Sequence, residues 1–63
     1  MKDYVVSIDD ADMALCIYQV DEIYYYRHPD FCYEVTVFSR NGSDLCFIPS
    51  CKISSIEVID YEN

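Results

Sequence analysis

The chain contains one histidine, His28, and imidazole is the natural first candidate for acid–base chemistry near neutral pH. His28 stands before Pro29 and Asp30, a run that reads as an exposed turn. Nucleophilic catalysis needs a nucleophile, a base and a group that orients the base, and no spacing here supplies the set, so no catalytic residue is expected. Cys16, Cys32, Cys46 and Cys51 include no Cys-x-x-Cys pair and fit no zinc pattern. The opening MKDYVVSIDD turns acidic before any apolar run long enough for a secretory signal, which places the expected protein in the cytoplasm with its thiols free and buried. Asp9, Asp10 and Asp12 could offer oxygen ligands to a hard cation, but the EF-hand glycine and closing glutamate are absent, and no metal site is expected. Gly42 is the only glycine, so a glycine-rich phosphate loop is excluded and no cofactor is expected.

With catalysis set aside, charge and surface become informative. Twelve Asp and Glu oppose four Lys and Arg, a formal charge of -8 over 63 residues. Such a field repels phosphate backbones, which argues against direct nucleic-acid binding and toward a basic protein partner. Asp3, Asp9, Asp10, Asp12, Asp21 and Glu22 lie close to the N-terminus with only Lys2 against them; the competing reading is a solvated face kept for solubility. No apolar run is long enough to span a membrane, and no membrane partner is expected. The hydrophobic share is 52%, with seven Tyr and three Phe, more apolar area than a chain this short can hide. Either a homo-oligomer or a face reserved for a partner would account for the excess.

The elements follow from period and turn chemistry. Tyr4 to Ile8 reads as a short strand, and Phe31 to Arg40 as the clearest one, β-branched and aromatic with apolar groups on both faces. Asn41-Gly42 is a hairpin turn, because both residues tolerate positive φ; it also explains the Asn41-Gly42-Ser43 glycosylation triplet. Asp44 to Ile48 is the return strand, Pro49 stops it, and Ser54 to Ile59 is the next. From Asp12 to Arg27 the signals conflict: Met13, Ile17, Val20 and Tyr24 recur at helical spacing among strand-forming residues, and a long bent strand is the favoured reading.

These elements predict one domain over residues 1–63 of mainly β class, a five-stranded curved sheet or an SH3-like or Sm-like barrel. A short helix near residues 10–20, giving an α+β class, is the alternative. A strand apolar on both faces needs cover on both sides, and the second cover is expected from another chain. Tyr24, Tyr25 and Tyr26 must point to alternating faces, which exposes at least one ring; Tyr25 is the candidate for the core. The expected partner-binding set is Asp9, Asp10, Asp12, Asp21, Glu22, Tyr24 and Tyr26, an acidic rim around aromatic anchors. The expectation is a non-enzymatic protein that binds and inhibits or regulates a basic, nucleic-acid-handling protein. Its surface character resembles that of phage-type counter-defence factors and other nucleic-acid mimics. The alternatives are a self-assembling barrel subunit and a small-ligand binder between protomers.

Overall fold

The structure, a computed structural model, describes residues 1–9 and 13–59. Among them run β1 (Lys2–Ile8), β2 (Met13–Val20), β3 (Glu22–Tyr26), β4 (Val35–Arg40), β5 (Ser43–Pro49), a 3₁₀ turn at Ser50–Lys52, and β6 (Ile53–Ile59). They form two three-stranded sheets, ordered β2-β1-β6 and β3-β4-β5. Every pairing is antiparallel. The mainly-β class is therefore the one observed. The strand count differs from the five expected because the long bent strand breaks at Asp21, whose N–H donates to Ser39 O at 3.0 Å and turns the chain from one sheet into the other.

No helix forms over Met13–Val20, and residues 10–12 of that alternative lie outside the described residues. The helical spacing has another cause. Lys2 pairs with Val20 but Tyr4 with Ile17, so β2 carries an extra residue at this step, and Gln19 takes a left-handed φ of 57°. A bulge of this kind shifts the face that later residues present. Ile17 and Val20, three apart, consequently both enter the core. Two hydrogen bonds hold the bulge: Gln19 N–H donates to Asp3 Oδ1 at 2.8 Å, and Arg40 Nη1 donates to Gln19 Oε1 at 3.1 Å.

Where the two sheets meet, Val6, Ile17, Val20, Phe38 and Ile48 form the core, with Tyr4, Ile8, Ile23, Leu45, Cys46, Ile53 and Ile56 packed around it. Phe38 is fully buried and its ring centroid lies 6.4 Å from that of Tyr4. The expected hairpin forms at Asn41 and Gly42, with φ of 53° and 80°. Strand β4 starts at Val35 rather than Phe31. Phe31 N–H instead donates to His28 O, closing a turn, and Glu34 O accepts from Ser50 N–H. Among the described residues no helix is long and apolar enough to cross a membrane.

Candidate functional site

Strand β4 is the middle strand of its sheet and alternates between two environments. Thr36 and Phe38 face the other sheet, whereas Val35, Val37 and Ser39 face away from it. On the outward side the register sets Tyr26, Tyr24 and Glu22 of β3 opposite Val35, Val37 and Ser39. From β5 the same three residues meet Pro49, Phe47 and Asp44. Val35 and Val37 are only 3% and 4% exposed, although they stand outside the core cluster. They form the floor of a cleft of about 460 Å³, walled by Tyr24, Tyr26 and Phe47 and extended by His28 and Phe31 from the loop before β4.

Two of the three walls are exposed, Phe47 at 63% and Tyr26 at 46%, and Tyr24 is half-buried. A run of rings continues along the loop, with Tyr26 edge-on to His28 at 6.0 Å, His28 at 5.0 Å from Phe31, and Phe31 stacked on Tyr33 at 5.4 Å. His28 Nδ1 accepts the Asp30 N–H at 3.1 Å, so its ring is anchored to the turn. At its other end the cleft is acidic. Asp44 lines it, and Glu22 and Asp44 line the adjoining depression with Tyr24, Ser39 and Gly42. The Tyr24 hydroxyl donates to Asp44 Oδ1 at 2.8 Å. That hydrogen bond, helped by desolvation and nearby negative charge, holds the Tyr24 phenol above its ordinary value.

Of the expected binding residues, Glu22, Tyr24 and Tyr26 come together on this face. Asp9 does not join them: it follows β1 in the other sheet, its N–H donating to Lys52 O. Asp10 and Asp12 lie outside the described residues. Asp21 does a structural job, since its Oδ2 accepts the Asn41 N–H at 2.8 Å and ties the bend to the hairpin turn. Tyr25 corrects the expectation of a core ring. It faces the core side, opposite Thr36, but is 64% exposed because it stands beyond the Phe38 cluster. Phe47, Asp44, Phe31 and His28 were not foreseen as part of the site.

The four cysteines are free, but Cys16, Cys32 and Cys51 are exposed and only Cys46 is half-buried, which corrects the expectation of buried thiols. Cys16 pairs with Val5 on the outer side of its sheet, away from the Val6 face. Burial pushes the Cys46 thiol up, and this favours the protonated, unreactive form. Among the described residues no three His, Cys, Asp or Glu side chains gather as metal ligands. Fold and site together define a mainly-β chain with an aromatic, acid-ended cleft on one sheet face. Comparison with protein-family models, curated proteins and solved structures finds no match.

Proposed function

We propose that this chain is a non-enzymatic interaction protein that docks a basic partner through the outer face of β3-β4-β5, and so inhibits or regulates a nucleic-acid-handling protein in the cytoplasm. The observation that carries the reading is the composition of that face: a valine floor, exposed Tyr26 and Phe47 walls, and carboxylates at one end. Aromatic anchors beside a polar rim are the usual make-up of a binding hot spot. The net charge of -8 selects for a basic counterpart and speeds its encounter.

One feature favours a second reading, self-assembly. Strand β2 is an edge strand, and Met13, Leu15 and Tyr18 along it are 51%, 37% and 55% exposed, as on an edge that another strand could cover. Two chains of this charge repel, which weighs against that reading at low salt.

The deciding experiment is a capture assay from host lysate with the intact chain, Tyr26→Ala, Phe47→Ala, Tyr25→Ala and Asp9→Asn. A basic protein retained by the intact chain, Tyr25→Ala and Asp9→Asn, but lost with Tyr26→Ala and Phe47→Ala, is the expected pattern. Retention by all five proteins would move the interface off this face. Light scattering addresses self-assembly: a dimer that dissociates when Leu15 is changed to Glu would favour the second reading.

A further inference from the structure

The described surface offers several depressions, and their linings differ in the ligand each could hold. One of about 490 Å³ lies between Leu15, Ile17, Tyr18, Leu45 and Arg40; its charged group is a guanidinium already bonded to Gln19, which suits no cation. Another, of about 280 Å³, is lined by Ser7, Asp9, Ser54, Ile8, Met13 and Ala14, with no ring in it. The cleft on β3-β4-β5 is the one of these that combines three properties. Its walls are aromatic rings, its floor is aliphatic, and its charged lining residue is a carboxylate with no Lys or Arg in the lining.

We infer that this cleft is a receptor for an arginine side chain of the partner, its methylene stem over Val35 and Val37, its guanidinium against the Tyr24, Tyr26 and Phe47 rings and hydrogen-bonded to Asp44. The inference rests on the docking reading above and names what enters the site. A cation over an aromatic face is attracted by the ring quadrupole, and a planar guanidinium also stacks. The carboxylate of Asp44 accepts one bond from Tyr24 and has further lone pairs for N–H donors. That bond matters for selectivity, because it turns the Tyr24 hydroxyl toward Asp44 and holds the carboxylate at the end of the cleft. Lysine could use the same charge, but its compact, strongly hydrated ammonium cannot stack or bind the carboxylate in fork geometry. A neutral apolar side chain would fill the floor and leave Asp44 without a counter-charge.

The test uses the whole chain and blocked pentapeptides, acetyl-Gly-Gly-Xaa-Gly-Gly-amide, in which Xaa is arginine, lysine, citrulline or norleucine. Citrulline keeps the shape and planarity of arginine and removes its charge. Titration followed by backbone amide NMR should show arginine perturbing Val35, Val37, Phe47 and Asp44, binding about tenfold tighter than citrulline, with lysine between them. Asp44→Asn should shrink the difference between arginine and citrulline to the part the rings supply, and Phe47→Leu should weaken both cations. Each variant's melting curve confirms that these exposed changes leave the fold in place. Citrulline or norleucine equal to arginine would overturn the assignment, as would no binding by any peptide, or shifts spread over Asp9 and Glu57 as strongly as over the cleft. The two readings fail separately. Partner capture lost with Phe47→Ala, together with equal arginine and citrulline binding, removes the arginine assignment and leaves the docking face standing.

Discussion

The two faces of strand β4 are both buried but are covered in different ways. On one, Phe38 meets Val6, Ile17, Val20 and Ile48 and is closed to water by the second sheet. On the other, Val35 and Val37 are as deeply buried, but what covers them is a ring of side chains that are themselves open to solvent. Burial depth alone therefore does not tell the core face from the outer one; the exposure of the covering residues does. A phenylalanine whose neighbours are all internal is held by the fold, whereas Phe47 spends apolar area on a surface where water is the default neighbour.

This contrast predicts the largest effect. Phe38→Ala should cost about 3–5 kcal/mol, by lost transfer energy and the cavity left behind, which is most of the stability available to a chain of this size. Phe47→Ala, at a position 63% exposed, should change stability by less than about 0.5 kcal/mol and abolish partner capture. Urea denaturation of both proteins checks the pair. If Phe47→Ala melted as severely as Phe38→Ala, the outer face would be core, and the division drawn here would fail.

A smaller effect tests the joint between the sheets. Asp21 links the β2–β3 bend to the Asn41 turn through its Oδ2, so Asp21→Ala should cost about 1 kcal/mol by leaving that N–H to water. Asp21→Asn keeps an acceptor at the same place and should be nearly neutral. Equal losses in both variants would point to the charge rather than the hydrogen bond. Neither change should alter partner capture, because the carboxylate is turned toward the hairpin and away from the cleft.

Much of the fold was legible in the residues, and two of the failures share one cause. The Asn41-Gly42 turn and a strand with two apolar faces leading into it follow from turn chemistry and period-two patterning, although that strand begins at Val35 and not at Phe31, and the break at Asp21 was hidden in a run that reads as one long bent strand. The bulges were not legible, because an extra residue is visible only once the partner strand is in place. At Gln19 a bulge imitates helical spacing and brings Ile17 and Val20 to one side. At Leu45 another changes the hairpin register: an unbroken ladder from the Arg40–Ser43 pair would set Cys46 opposite Val37, but the observed register sets Phe47 there. That slip moves Phe47 to the outer face and supplies a wall of the cleft. Glu22, Tyr24 and Tyr26 were legible as one set because β3 is regular; Asp9 was grouped with them by sequence proximity, which the change of sheet dissolves, while Asp21 stays beside them but is engaged by the Ser39 and Asn41 backbone.

The smallest expected effect is also the most local probe of the outer face. Tyr24 donates to Asp44, and this raises the phenol above its ordinary value of about 10. For a group whose folded value is raised, the stabilising contribution is fully present below the unfolded value and is lost as pH rises through the folded one. The hydrogen bond thus contributes at neutral pH and disappears in alkali, where a phenolate would stand against Asp44 and Glu22. Because the pair is exposed to solvent, the stability change should be slight. The readable quantity is a difference between proteins: Tyr24→Phe should be a little less stable than the intact chain near neutral pH, and the gap should close or reverse as pH rises through the raised Tyr24 value, above the ordinary tyrosine value of about 10. Urea midpoints measured at both ends of that range decide the matter, and a gap independent of pH would mean that Tyr24 acts through packing on Val37 and not through its hydroxyl.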